Sequence, residues 1–280
     1  LMGYLEAHKD HLLPEFKAVW DAAGDKTSGT WEEVFGKNVP RQDRPVPNSP
    51  GRSPRPAGAE LVDHTDEIFM AWNYSRYIGY VAAAGKKAYA LPMYVNTWIV
   101  QPEDRGPGDY PSGGAEPLVQ DVWRAGAPAI DILAPDIYLP QYAEILKTFS
   151  RNGNPAFNPE TRANGDLCWE AFTQLKALCF SPFGIDNLNP DSAFARTYGF
   201  VNSISGALAA AQGKTDALKL ITLKPGENPG KVTMGEYTFD FTSVTGGRRG
   251  GAGNRGARPA NHGAAAENAG AASDSGSLSF

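Results

Sequence analysis

The stretch Asn154-Pro155-Ala156-Phe157-Asn158-Pro159-Glu160-Thr161-Arg162 decides how the rest of the chain is read. Glycine and proline bracket it, which limits it to the length of a strand. A helix-like run precedes it at residues 142–151, and another follows at 167–178. The pattern predicts a short buried strand between two helices, ending on the carboxylate of Glu160. The competing reading makes Glu160 a solvated loop carboxylate or a cap for the next helix.

The same pattern recurs on both sides. Residues 1–23 read as one amphipathic helix with Pro14 as a defect that kinks or splits it. His8 and His11 lie three apart within it, but no third ligand is in sight, so they read as a solvated pair. Thr30-Trp31-Glu32-Glu33 offers a short capped turn. Residues 67–85 read as a second long helix stopped by Gly85. A strand at 89–98 ends in Asn96 and Trp98, and a long loop rich in glycine and proline follows at 101–117. A short helix at 118–126 leads to a strand at 130–138 that ends in Asp136 and Tyr138. After the Glu160 strand come the helix at 167–178, a strand at 179–186 and a last helix at 193–211, with Asp186 as a cap for that helix.

Four strands alternating with helices predict parallel βα units and an α/β fold. A strand that ends on a glutamate is how a (β/α)8 barrel presents a catalytic group. Four units make half of such a barrel, and a half alone leaves two open sheet edges. The expected architecture is therefore a partial TIM barrel over residues 1–213, interrupted by an insertion at 41–65. The insertion holds five prolines between Pro45 and Pro56 with arginine and serine among them. Residues 214–245 read as the start of a small β domain. Residues 246–280 are almost free of apolar bulk and are expected to be disordered. The insertion and the tail both have the composition of GC-rich DNA read out of frame.

Composition narrows the function classes. The 280 residues carry a net charge of −5, which argues against a general nucleic-acid binder. No apolar run reaches the roughly 18 residues a membrane span needs. The first residues resemble no secretion signal, and the start at Leu1, inside a helix, is expected not to be a natural one. Cys168 and Cys179, placed on one helix, are too far apart for a disulfide and read as small core residues.

Six motifs then agree in order. They are Glu67-Ile-Phe-Met-Ala-Trp-Asn-Tyr74, Leu91-Pro-Met-Tyr-Val-Asn-Thr-Trp98, Tyr110-Pro-Ser-Gly-Gly114, Ala134-Pro-Asp-Ile-Tyr138, Asn154-Pro-Ala-Phe-Asn-Pro-Glu160 and Phe180-Ser-Pro-Phe-Gly-Ile-Asp186. Together they resemble bacterial β-galactosidase-like enzymes of glycoside hydrolase families 35 and 42, over about residues 1–241 without the insertion. The resemblance implies a clan A barrel and a retaining mechanism, with the four strands matching the fifth to the eighth. It places Glu160 at the nucleophile. Tyr138 is then set to hydrogen-bond Glu160, Asn96 to bond a sugar hydroxyl, and Arg162 to hold positive charge near Glu160. Trp98 and Phe183 become platforms for the sugar's C–H face. The competing reading for Trp98, Tyr138 and Phe183 is barrel core.

The resemblance implies no cofactor and no metal. Its expected ligand is a β-galactoside oligo- or polysaccharide, and the parent enzyme is expected to be periplasmic or extracellular. The family's Asn-Glu acid/base motif has no counterpart here, and Ala115 stands where the family has proline. The chain is therefore expected to be inactive alone, its missing half supplied by an N-terminal half-barrel or a partner copy. The alternatives are a non-catalytic carbohydrate-binding module, a partner-dependent half-barrel, and the same mechanism on glucose or arabinose.

Overall fold

The computed structural model describes residues 1–37, 64–101, 104, 106–108, 110–214, 217–222 and 230–241. Most of the 41–65 insertion and the tail lie outside the described residues. Contacts divide the chain into two units, Leu1–Gly213 and one that begins at Lys214.

The first unit opens on α1 (Met2–Ala7) and α2 (Pro14–Ala22), with a 3-10 turn at Lys9–His11 between them. The single helix expected over residues 1–23 is thus split. Pro14 is the reason: it sits in the first turn of α2, where its missing N–H costs nothing, and it forces Leu13 into extended backbone. The amide of Leu13 instead donates to Asp121 Oδ2 at 2.6 Å, inside the core. In α3 (Trp31–Phe35), Thr30 and Glu33 cap each other reciprocally.

The long helix α4 (His64–Ala88) differs from expectation at both ends. It already includes His64 and Thr65, which the sequence assigns to the insertion. It also runs past Gly85, which makes room rather than a stop, because a Cβ there would lie 2.9 Å from the Met93 methyl.

Four strands follow, separated by helices. They are β1 (Tyr94–Thr97), β2 (Ile132–Ile137), β3 (Asn158–Thr161) and β4 (Phe180–Pro182). Between them run α5 (Gln120–Gly126), α6 (Tyr142–Phe149) and α7 (Gly165–Thr173). All four strands are parallel and lie in sequence order. This is the α/β alternation that the sequence predicts. β2 is buried on both faces, as parallel strands covered by helices are. Leu5, Phe16, Trp20, Val34, Ile68, Trp123 and Leu133 share one core that joins the N-terminal helices to α4, α5 and the sheet.

The strands are shorter than their sequence patterns. β1 begins only at Tyr94, because Pro92 has no N–H and Met93 spends its own on Asp131 Oδ2 at 2.7 Å. Pro135, in the middle of β2, removes a ladder donor from a central strand. Side-chain amides from the β3 side satisfy β2 backbone groups on either side of it. Asn158 donates to Pro135 O at 2.9 Å and to Glu160 O at 3.0 Å, and accepts from the Tyr142 hydroxyl at 3.2 Å. Asn154 accepts from Leu133 N at 3.0 Å and donates to Leu133 O at 2.7 Å, standing in for a strand peptide.

After β4, the helix expected over 193–211 is two, α8 (Ala193–Ser203) and α9 (Ser205–Gln212). Ser192 caps α8 by accepting from Ala195 N at 3.1 Å. Asp186 does not cap it, and lies in a 3-10 turn at Ile185–Asn187. The two cysteines are not on one helix. Cys168 is buried in α7 and Cys179 precedes β4; both are free thiols, and burial pushes both toward the neutral form.

The second unit contains an antiparallel hairpin, β5 (Gly230–Met234) and β6 (Tyr237–Phe241). Val232 pairs with Phe239 and Met234 with Tyr237, while Lys231 pairs with Asp240 on the other face. No helix among the described residues is long and apolar enough to cross a membrane.

Candidate active site

The C-terminal ends of the four parallel strands carry the candidate residues, at the edge where open α/β sheets bind ligands. Asn96 lies in β1, Asp136 in β2 and Glu160 in β3. Trp98, Tyr138, Arg162 and Phe183 follow within one or two residues of their strands. In the β2–β3 ladder Asp136 stands directly opposite Glu160. The β3–β4 register shifts between Asn158 and Thr161. Such irregularities re-aim side chains and recur beside functional sites.

Tyr138 donates its hydroxyl to Glu160 Oε1 at 3.0 Å, as expected from their positions at neighbouring strand ends. Burial and the neighbouring Glu160 carboxylate push the Tyr138 hydroxyl up to about 12, so it stays protonated and remains a donor. The Arg162 guanidinium lies over the Tyr138 ring, 5.8 Å from its centroid. Its positive charge therefore reaches the site across an aromatic face.

Asn96 spends one N–H inside the protein, on Asp136 Oδ2 at 3.0 Å. Its carbonyl oxygen and remaining N–H are the groups left for a ligand. Trp98 is 48% exposed and Phe183 74% exposed beside this four-stranded sheet. Both stand as bare aromatic surfaces at strand ends.

Asp136 is the residue that sequence reasoning passed over. Burial, and then the charge on Glu160, push its carboxyl up to about 6, against the pull of the Asn96 donor. The available signal was its place two residues before Tyr138, on the same face of one strand.

The loop after Trp98 is held by two buried carboxylates. Glu67, only 2% exposed, accepts from Gly113 N at 2.7 Å and from the Tyr110 hydroxyl at 2.8 Å. Glu116 accepts from Val100 N at 2.6 Å. Burial pushes Glu116 up to about 8, with Glu67 and Asp104 adding repulsion. A raised carboxyl binds its proton more tightly folded than unfolded. Its contribution is thus fully present below the unfolded value and is lost as pH rises through about 8. Glu116→Gln keeps an acceptor for Val100 and cannot ionise. Its melting temperature is expected to exceed the parent's at about pH 8.5 and to converge with it at about pH 5, by calorimetry of both proteins. Parallel curves at all pH values would show that Glu116 binds its proton equally in the folded and unfolded protein.

Among the described residues, no three His, Cys, Asp or Glu side chains gather where they would hold a metal ion. In comparisons with known proteins, no family model matches the chain and no curated protein matches it.

Proposed function

We propose that this chain carries the nucleophile half of a retaining β-galactosidase-type glycoside hydrolase with a (β/α)8 catalytic domain. The observation that carries the reading is the Tyr138–Glu160 hydrogen bond at the ends of adjacent parallel strands. Tyr138 occupies Oε1 and leaves Oε2 to attack an anomeric carbon. A retaining enzyme sets its acid/base carboxyl about 5–5.5 Å from the nucleophile, on the other side of the scissile bond. In this reading that group comes from polypeptide outside the 280 residues, which also supplies strands beside β1 and β4. The substrate is a terminal β-linked galactose in an oligo- or polysaccharide, seated between Trp98 and Phe183 with Asn96 toward its hydroxyls.

The test removes the need for the absent acid. In a 2-deoxy-2-fluoro-β-galactoside with a dinitrophenyl aglycone, the phenolate leaves without protonation as the sugar bonds to the nucleophile, and the fluorine slows release of the glycosyl ester. Incubation with the chain is expected to add one fluorosugar to the peptide containing Glu160, located by mass spectrometry. No adduct, or an adduct on another residue, overturns the nucleophile assignment. The exposure of Trp98 and Phe183 favours one alternative, a sugar-binding module without turnover. Reversible galactoside binding with no adduct is its signature.

A further inference from the structure

We propose that Asp136 is a positioning residue of this site: it aims the Asn96 amide and carries its own proton beside Glu160, so that the pair meets a ligand as a single negative charge. The proposal deepens the reading of Glu160 as a ligand-facing carboxylate and rests on it.

Three observations carry it. Asp136 and Glu160 are direct partners on neighbouring parallel strands, so the two carboxylates share one face at about the 4.8 Å spacing of adjacent strands. Asp136 Oδ2 is taken by Asn96, while its Oδ1 is buried without a hydrogen-bond partner. The groups that face Asp136 are Asn96 from β1, Glu160 from β3 and Tyr138 from its own strand. The Arg162 guanidinium lies on the Tyr138 ring.

An ionised carboxylate with a buried bare oxygen and a like charge alongside is costly. A proton on Asp136 Oδ1 removes the buried charge and the repulsion from Glu160, and leaves Oδ2 free to hold Asn96. The upward displacement to about 6 agrees with this. Asp136 is not a substitute for the missing acid. One of its oxygens is buried and the other is engaged, so neither faces a leaving group. Its effect passes through the two neighbours: the Asn96 amide is held by one N–H, and Glu160 has no second charge beside it. Above pH about 6 the pair carries two charges, and a cationic ligand gains an attraction that a neutral sugar does not.

The test uses the whole 280-residue chain. Side-chain carboxyl 13C shifts are followed against pH in the parent and in Glu160→Gln, with the Asp136 signal assigned by its loss in Asp136→Asn. The expected midpoint is near 6 in the parent, falling by at least about half a unit in Glu160→Gln as the neighbouring charge disappears. A parent midpoint near the ordinary aspartate value of about 4, or the same midpoint in both proteins, overturns the proposal. Should Asp136→Asn fail to fold, Asn96→Ala gives the assignment, since loss of its donor moves the Asp136 midpoint upward. A galacto-configured iminosugar, protonated on its ring nitrogen, serves as the ligand probe. Its affinity is expected to rise several-fold between about pH 5 and pH 7.5 in the parent and to stay flat in Asp136→Asn. Equal pH dependence in both overturns the proposal while the sugar site stands. No binding at any pH, with both midpoints as expected, overturns the sugar reading and leaves the carboxyl pair in place.

Discussion

Glu160→Gln, in a protein completed by an acid/base half, is expected to lower kcat on an aryl β-galactoside by about 10⁴-fold or more, the scale at which removed nucleophiles are felt. The two side chains have nearly the same volume, and glutamine still accepts from Tyr138 through its carbonyl oxygen. The lost property is the nucleophilic oxygen. The melting temperature is expected to stay close to the parent's, because Glu160 makes one side-chain hydrogen bond at a partly exposed strand end. Near-normal turnover would sink the assignment of Glu160. A collapse of stability together with activity would instead make it a structural carboxylate.

The second large effect is far from the site. Gly79→Ala in α4 is expected to destabilise the first unit by about 3 kcal/mol or more, measured by urea unfolding. Glycine to alanine within a helix normally stabilises by up to about 1 kcal/mol. Here steric overlap outweighs that gain. A Cβ at Gly79 would lie 2.7 Å from Ala127 Cα and 2.8 Å from Gly126 O, and backbone cannot rotate out of the way. Gly126→Ala meets the Ser75 hydroxyl and, at 2.9 Å, its Cβ. Ser75→Gly is therefore expected to restore part of the stability lost in Gly126→Ala and none of that lost in Gly79→Ala. An unchanged urea midpoint for Gly79→Ala would show that α4 and α5 do not cross so closely.

The alternation of strands and helices was legible because it rests on local signals. Apolar runs of strand length, bounded by proline and glycine, place Glu160 and Tyr138 at neighbouring strand ends from sequence alone. Element ends were less legible, since tertiary partners decide them. Gly85 carries a stop signal, yet Lys86 beyond it pairs with Asp131 at 2.5 Å and α4 continues. The Asn96–Asp136 bond joins residues forty positions apart and depends on the exact register of two ladders. No spacing in the sequence encodes that. The amides of Asn154 and Asn158 were equally silent, because asparagine next to proline and glycine reads as turn chemistry.

Asn158 and Pro135 bear differently on how this site tolerates change. The asparagine satisfies the proline's carbonyl, a need that any residue at 135 would share. Loss of Asn158 takes a donor from the Pro135 and Glu160 carbonyls, whereas replacing Pro135 adds a backbone N–H and leaves both carbonyls needing the asparagine. Position 158 is therefore constrained whatever residue stands at 135, while 135 is constrained by its own backbone alone.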